Sequence, residues 1–234
     1  MTGMVGKLLQ SLGGKYSRDL GIDLSGGESG EICKWFLAAK LFGARIGTAI
    51  AMKTYREFEQ RGVVSPEAII GTGWDGLVEI LDKGGYVRYD FSTATKLLAI
   101  MGDLKDRFGG DLNRLHEEAD GEEGLEKLLK GLGKGIGDVT ANIFLRELRP
   151  VWRKARPRIA PYALLAAERL ALVGPGEEPL AKLELVWSQE KIPGRDFSDF
   201  EAALVKLGKD YCRKLRCGAC PLGGRCACQR RGTG

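Results

Sequence analysis

The residues of this sequence best suited to chemistry are cysteines near the C-terminal end, in the stretch YCRKLRCGACPLGGRCAC. Cys212, Cys217, Cys220 and Cys226 are spaced C-x4-C-x2-C-x5-C, so four sulfurs fall within fifteen residues. We expect a reducing compartment, where thiols are kept from forming a disulfide framework. The spacing therefore predicts that the four thiolates close around a metal centre.

Two kinds of metal centre are compatible with this spacing. Structural zinc sites usually present two close pairs of ligands separated by a longer spacer, but only Cys217 and Cys220 form such a pair. Four nearly evenly spread cysteines favour an iron–sulfur cube, whose corners lie further apart than the ligands of one ion. We predict a [4Fe–4S] cluster, with structural zinc as the alternative. Cys228 could replace Cys226 as fourth ligand, whereas Cys33 fits a buried, apolar helix position.

A second stretch of interest is GLGKGIGDVTANIFLREL, where four glycines immediately precede an amphipathic run. Glycine-rich turns before helices bind anions through exposed backbone N–H groups and the helix dipole. Two nucleotide-binding patterns are excluded, because Lys134 is followed by Gly135 and no strand precedes the loop. The remaining arrangement is helix, hairpin and helix, with the turn at 135–137. Ile136 is predicted to fill the gap between the helices, and Ala141 to allow their close approach.

The segment GKGIGDVTA resembles the helix-hairpin-helix of the endonuclease III superfamily of DNA glycosylases, whose pattern is L-P-G-[VI]-G-x-x-T-A. Lys134 stands in the proline position, and Thr140–Ala141 sets the register. The cysteine stretch is similar to the iron–sulfur loop of the same superfamily, with a shorter first spacer. The resemblance implies an all-α, two-lobed glycosylase fold. One lobe, residues 30–145, would be a helical bundle with the hairpin, and the other, residues 1–29 and 146–234, would hold the cluster.

The implied partner is double-stranded DNA with a damaged or mismatched base, held at its phosphates and bent so that a base can leave the stack. Within the hairpin, the implied DNA contacts are Lys134, Gly135, Ile136, Gly137 and Thr140. FLAAKLFGARIGTAIA resembles the superfamily's helix ending in S-A-Q, which puts Arg45 at the position that wedges into the duplex. GGYVRYDFSTATKLL resembles its G-[LFY]-Y-x-x-K-A segment and predicts that Tyr86 also reaches DNA. The resemblance further implies a monomer.

Two positions depart from the superfamily's catalytic pattern. Val139 occupies the position of the lysine that forms a Schiff base, so the usual lyase step is disfavoured. Tyr162 aligns with the catalytic aspartate, and no aspartate occurs between Asp138 and Asp196. A carboxylate stabilises the cationic sugar that forms as the glycosidic bond breaks. A phenol is neutral near pH 7 and cannot replace it.

Three functions follow from these departures. The first is a divergent DNA glycosylase whose carboxylate comes from elsewhere, with Asp138 and Asp90 as candidates. Each also has a purely structural explanation. Asp138 is an acid in the first turn of a helix, and Asp90 would be the N-cap of a helix starting near Ser92. The second is a protein that recognises distorted or damaged duplex without chemistry. The third and weakest is a redox sensor that carries the cluster and binds DNA.

Composition and charge agree with a folded, nucleic-acid-binding protein. Of the 234 residues, 44% are hydrophobic and 29% charged, and the formal net charge is +5. A basic run, RPVWRKARPR, covers 149–158, and a basic tail begins at Lys206 with Asp210 as its one acid. Two basic runs flanking a glycine hairpin favour a polyanionic partner. The basic residues of the tail are Lys206, Lys209, Arg213, Lys214, Arg216, Arg225, Arg230 and Arg231.

The elements that must position these residues are predicted to be helices. Apolar spacing is helical from Glu31 to Gln60, Ser65 with the following proline predicts a helix start, and glycines at 84–85 and 109 predict helix ends. No convincing alternating strand pattern is present. The longest apolar stretch is broken by Lys40 and Arg45, and the first residues do not have the pattern of a signal peptide. We therefore expect a cytoplasmic, nucleoid-associated protein that does not contact a membrane.

Overall fold

The computed structural model of this chain describes residues 3–223 and residue 226. All regular elements among them are helical, and this part of the chain contains no strand, which confirms the all-α prediction. None of the helices described is both long and apolar enough to cross a bilayer. The α-helices are α1 (Met4–Leu12), α2 (Tyr16–Asp19), α3 (Ser29–Phe42), α4 (Thr48–Gln60), α5 (Pro66–Gly84), α6 (Asp90–Phe108), α7 (Leu112–Glu118), α8 (Gly121–Gly131), α9 (Asp138–Leu148), α10 (Pro161–Arg169), α11 (Pro179–Gln189) and α12 (Phe197–Leu207).

The chain forms two compact units. Unit 1 combines Met1–Asp19 with Arg158–Gly234, and unit 2 is Leu20–Pro157. The predicted lobes divided the chain at residues 30 and 145, whereas the contacts divide it at 20 and 157. The side chain of Asn113 in α7 illustrates why, since it donates to the Gly27 carbonyl over 3.0 Å and accepts from the Trp152 indole over 2.8 Å. Both flanking segments are thereby bonded into unit 2.

Helix α3 is the centre of unit 2. Nearly all of its residues from Ile32 to Leu41 are buried, as expected for a helix that is apolar on every side. It packs against α4, α7 and α9. The Trp35 indole donates to the Phe144 carbonyl of α9 over 3.0 Å, and the rings of Phe36 and Phe144 meet edge to face at 5.1 Å. Helix α9, which follows the glycine hairpin, is therefore fixed directly to the core.

The helical pattern predicted from Glu31 to Gln60 is interrupted between α3 and α4. Helix α3 ends at Phe42, and Gly47 caps α4 with extended backbone. A side chain at Gly43 would clash with the Thr140 hydroxyl of α9. Glycine at 43 thus allows α3 and α9 to approach closely, at a position where the periodicity alone predicts continued helix. Arg45 is exposed to solvent in the loop between α3 and α4.

Three predicted helix boundaries are confirmed. The Ser65 hydroxyl accepts from the Ala68 amide at the start of α5, with proline at the first turn. Gly85 and Gly109 adopt left-handed backbone at the ends of α5 and α6. These signals are local, which is why the sequence alone is sufficient to find them.

Helix α12 is the centre of unit 1, where it packs against α1, α10 and α11. Its start is a capping box in which Asp196 and Asp199 bond each other's backbone amides. The Asp199 carboxylate also accepts from the Lys15 amide, over 3.2 Å. At its other end, α12 continues as a π-helical turn, Gly208–Cys212, which carries the first cysteine of the cluster motif.

Candidate nucleic-acid interface and cysteine pocket

The glycine hairpin joins α8 to α9 within unit 2. Gly135 has φ +99°, a conformation that glycine adopts at low cost, and the Ile136 amide bonds the Gly133 carbonyl over 3.4 Å. The side chain of Ile136 is packed into the protein and only 5% exposed. Lys134, Gly135 and Gly137 are all exposed. A ligand at this turn would consequently meet backbone rather than the Ile136 side chain.

The N-terminus of α9 is open to solvent. Gly137 is its cap residue and supplies no side-chain acceptor, so no side chain caps the first-turn amides. The Thr140 side chain is buried against Gly43, whereas Val139 is 64% exposed. Since a helix N-terminus carries partial positive charge, this end of α9 can accept an anion.

Asp138 lies at the mouth of the hairpin with its side chain 90% exposed. Its carboxylate is 2.5 Å from the Lys130 ammonium of α8, and this pairing lowers the pKa of Asp138. Its placement at the first position of α9 agrees with the structural explanation, an acid beside a helix dipole. The Asp138 carboxylate is exposed to solvent and does not lie in a pocket where a substrate sugar would be desolvated.

Two lysines that sequence reasoning did not single out lie against the hairpin. A methyl group at Gly135 would sit 3.0 Å from Lys96 Cδ and 3.2 Å from Lys40 Cε. Lys40, in α3, is only 5% exposed. Burial, and to a smaller extent Lys96, lower its pKa to about 8. The signal in the sequence was a single lysine inside the apolar run of α3.

The two predicted DNA contacts outside the hairpin differ in accessibility. Arg45 is exposed in the loop between α3 and α4, as a residue that inserts into a duplex must be. Tyr86 is 1% exposed, and its hydroxyl donates to the Leu41 carbonyl over 3.2 Å. Tyr86 is therefore a core residue, and the prediction that its side chain reaches DNA is corrected. The neighbouring Val87 carries the exposed apolar side chain instead.

The remaining catalytic candidates are engaged in local contacts. Asp90 is the first residue of α6 and bonds the Phe91 amide over 2.7 Å, so Tyr89 rather than Asp90 is the cap. A hydrogen bond with Asp90 raises the pKa of Asp82, which ties Asp90 to a second acid. The Tyr162 hydroxyl in unit 1 accepts from Arg213 over 2.5 Å. A guanidinium at this distance opposes, rather than supports, positive charge on a substrate.

The basic run 149–158 is partly used inside unit 2. The Arg149 guanidinium donates to the Pro157 carbonyl over 2.6 Å, and the Lys154 ammonium to the His116 carbonyl over 2.7 Å. These side chains hold the segment after α9 in place. In the basic tail, Arg225, Arg230 and Arg231 lie outside the described residues, as does Cys228.

The four predicted ligand cysteines line one pocket of unit 1. Its volume is about 350 Å³, part of it open to solvent. Cys212 comes from the π-helical turn after α12, and Cys217 begins a 3-10 turn, Cys217–Ala219. The Cys226 thiol bonds the Arg169 carbonyl over 3.4 Å. The lining residues are Arg169, Tyr211, Cys212, Cys217, Cys220, Gly223 and Cys226.

The thiols of this pocket are near neighbours. Burial, followed by Cys220 and Cys226, raises the pKa of Cys212 to about 11. In the part of the chain that the structure describes, no three histidine, cysteine or acidic side chains are placed to hold one metal ion. Thiolates are ligands of both zinc and iron–sulfur clusters, so the [4Fe–4S] cluster and its zinc alternative stay predictions from the cysteine spacing.

Comparison with known proteins does not add a family to this geometry. The sequence matches no protein-family profile, and no curated protein is significantly similar to it.

Proposed function

We propose that this chain binds double-stranded DNA through the hairpin between α8 and α9 and acts in base-excision repair. The observation that supports the proposal is the open N-terminus of α9: its cap is glycine, the adjoining Gly135 is exposed, and no side chain blocks the amides. Backbone amides arranged in this way bind phosphate oxygens without regard to base sequence. The resemblance of GKGIGDVTA to a glycosylase hairpin supports the same partner.

The proposed reaction is hydrolysis of the N-glycosidic bond of a damaged or mismatched base, as in a divergent DNA glycosylase. Water replaces the base at C1′, and the base leaves with a proton. Because valine stands where the superfamily has its lyase lysine, the hairpin itself supplies no amine to attack the abasic sugar. The product of the proposed reaction is thus an intact strand with an abasic site.

A second function, recognition of damaged duplex without chemistry, is favoured by the surroundings of the acidic candidates. Asp138 is paired with Lys130 in solvent, Asp90 is bonded near Asp82, and the Tyr162 phenol is held by Arg213. None of these groups is a buried carboxylate able to stabilise a sugar cation. The geometry therefore supports DNA binding more strongly than it supports a particular catalytic residue.

We also propose that Cys212, Cys217, Cys220 and Cys226 hold a [4Fe–4S] cluster. These residues surround one pocket directly after α12. A cluster there would supply cross-links for a segment with little regular structure, in the way that structural metal sites stabilise small folds. Its function would be to stiffen unit 1, with no part in bond cleavage.

A panel of labelled duplexes tests the proposed function. The duplexes carry uracil, an oxidised purine, an alkylated purine, a mismatch or an abasic site, with an undamaged duplex as reference. We expect release of free base from at least one lesion, with the strand cut only after alkali treatment. Tighter binding to a lesion without base release would favour the second function. Failure to bind any duplex at low salt would contradict both functions.

If a lesion is processed, Asp138→Asn and Asp90→Asn identify or remove the acidic candidates. General acid–base and electrostatic groups typically contribute about 100-fold or more to the rate. Because both side chains make local contacts that explain them, we expect each variant to keep single-turnover rates within about threefold of the unaltered protein. A loss of about 100-fold in either one would assign that residue to catalysis.

A further inference from the structure

We propose that Lys40 and Lys96 form, with the N-terminus of α9, a binding subsite for the phosphate group held at the hairpin. This inference rests on the proposed function in naming DNA as the source of the phosphate. The subsite itself takes any phosphate group, either a phosphodiester of a nucleic acid or inorganic phosphate.

The two lysines approach the hairpin from two different helices. Lys40 lies in the last turn of α3 and Gly43, three residues on, is its C-cap with helical backbone, so both lie on one face of the helix. Gly135 lies against Lys40 on this face, and Thr140 lies against Gly43. The face of α3 that carries Lys40 is thus in contact with both the turn and the first turn of α9, while Lys96 reaches Gly135 from α6.

Lys40 differs from the other lysine that is buried in the described residues. Lys15, 8% exposed in unit 1, donates to the Asp196 carboxylate over 2.7 Å. Lys40 is 5% exposed, and among the described residues its ammonium has no ion pair or hydrogen bond. The ammonium is not one of the fully buried side-chain atoms that lack a partner, so it reaches solvent, where an external anion can meet it. A buried charge without a partner is costly. An anion from outside the protein would offset this cost.

The charges around Lys40 favour the binding of an anion beside it. Lys96 is the charged neighbour that shifts its pKa, and it does so in the direction of a like charge. The nearest acid at the hairpin, Asp138, is occupied by Lys130. The other ionisable residues of the helices packed on α3 leave this pKa unshifted. They are Lys53, Tyr55, Arg56, Glu57 and Glu59 of α4, Arg114, His116, Glu117 and Glu118 of α7, and Arg146 and Glu147 of α9.

Phosphate is the anion that suits this arrangement. Two ammonium groups and the first-turn amides of α9 present donors from separate directions, which a tetrahedral group with several oxygens can engage together. Gly135 and Gly137 are exposed and carry no side chain, so phosphate oxygens can approach closely. The hairpin and the lysines then bind one and the same group.

The test compares Lys40→Met and Lys96→Met with Lys105→Met, which removes an exposed lysine from the same helix as Lys96. Affinity for an undamaged labelled duplex is measured by anisotropy between pH 6 and pH 9.5 and at several salt concentrations. We expect Lys40→Met to weaken binding about tenfold, the scale of a charge-assisted hydrogen bond, and to make the salt slope about 0.9 less negative. Lys105→Met should change affinity less than about twofold.

The pH profile separates a charged ligand contact from a packing role. Affinity of the unaltered protein should decline as pH rises above about 8, where free Lys40 loses its proton. Lys40→Arg should bind throughout without this decline, and Lys40→Met should be weak and nearly independent of pH. In the absence of ligand, the melting temperature of Lys40→Met should equal or exceed that of the unaltered protein, because an unpaired buried charge has been removed.

A second arm separates this inference from the proposed function. Inorganic phosphate is added to each protein at constant ionic strength, with chloride as reference, and the melting temperature is followed. Stabilisation by phosphate that Lys40→Met abolishes would support the subsite even if no duplex were bound. Duplex binding that Lys40→Met leaves unchanged, in affinity and in salt slope, would overturn the subsite and leave the proposed function standing.

Discussion

At the scale of single residues, the two exposed glycines of the hairpin have different functions. Gly135 has positive φ and lies against Lys40 and Lys96, so the fold itself requires it. Gly137 has φ −98°, which any residue can adopt, and a side chain there would meet no protein atom within 4 Å. Gly137 is the N-cap of α9, where glycine is favoured over alanine, and it leaves the first-turn amides uncovered.

The first prediction is that Gly137→Ala weakens duplex binding and lowers stability by no more than about 1 kcal/mol, because alanine is a poorer N-cap than glycine. The added methyl group would stand where a phosphate oxygen approaches the α9 amides, and losing such a bond costs about tenfold in affinity. Gly71→Ala is the matched control, since it adds a methyl at an exposed position of α5 with no protein atom within 4 Å. It should keep full affinity and gain about 0.5–1 kcal/mol of stability. Equal affinity of both variants would contradict a phosphate contact at Gly137.

The second prediction concerns the pH dependence of folding. The pKa of Lys40 falls from 10.5 to about 8 in the folded protein, so between these values the unfolded chain binds more protons. Stability conferred by this site therefore rises with pH from about 8 to about 10.5, by on the order of 3 kcal/mol. Urea denaturation of the unaltered protein minus that of Lys40→Met isolates the rise. A difference that stays constant over this range would contradict the buried, unpaired state of Lys40.

The residues that could be predicted are those whose signals are local. Cysteine spacing predicted which side chains gather in one pocket, and the glycine pattern predicted the turn at 135–137. Lys40 could not be predicted as a hairpin residue, because its burial depends on α6 and α9, which are distant in sequence. The motif resemblance predicts an exposed Tyr86, but its hydroxyl donates to the Leu41 carbonyl, 45 residues away in sequence.

At the scale of elements, the π-helical turn after α12 determines where the cysteine segment begins. Gly208 starts this turn, and a side chain there would clash with the backbone carbonyl of Tyr162 in α10. Helix α10 packs against both α12 and the turn. The chain can make this contact only because residue 208 lacks a side chain, so Cys212 depends on a glycine four residues before it.

The third prediction is that Gly208→Ala destabilises unit 1. Helical backbone at 208 tolerates alanine, so the loss comes from the clash with α10 and should be about 1–3 kcal/mol. Gly218→Ala, in the 3-10 turn between two cysteines, adds a methyl that meets no atom within 4 Å and should be nearly neutral. Urea denaturation compares the two. A Gly208→Ala protein as stable as Gly218→Ala would contradict the tight packing of α10.

Element boundaries with capping signals were predictable, whereas the break between α3 and α4 was not. The capping signals at Ser65, Gly85 and Gly109 depend only on residues nearby in the sequence. Gly43 lies in a continuous apolar periodicity, and glycine is required there because a side chain would clash with the Thr140 hydroxyl of α9. Tertiary contacts of this kind override a local pattern.

At the scale of the whole molecule, the hairpin and the cysteine pocket belong to different units. Unit 2 contains the hairpin and unit 1 contains the pocket. Because they belong to different units, the cysteine pocket and the hairpin can be tested independently of each other.

The fourth prediction is that anaerobically purified protein is brown and contains about four iron atoms per chain. Cys217→Ser should lose most of the iron and the visible absorbance, because a corner of the cluster loses its thiolate. Cys33→Ala is the control, since Cys33 is buried in α3 of unit 2 and should not affect iron content. Colourless protein with one zinc per chain would contradict the cluster and favour the alternative metal.

Unit 1 is assembled from two segments with all of unit 2 between them in the chain. During synthesis, α1 emerges from the ribosome long before α12, the helix against which it packs, has been translated. The nascent chain should therefore fold unit 2 first, and the apolar face of α1 should stay exposed until α12 has been made. A ribosome-bound chain stalled far enough beyond residue 157 for unit 2 to have left the exit tunnel, but before α12 emerges, should lose α1 to protease and keep α3–α9 intact.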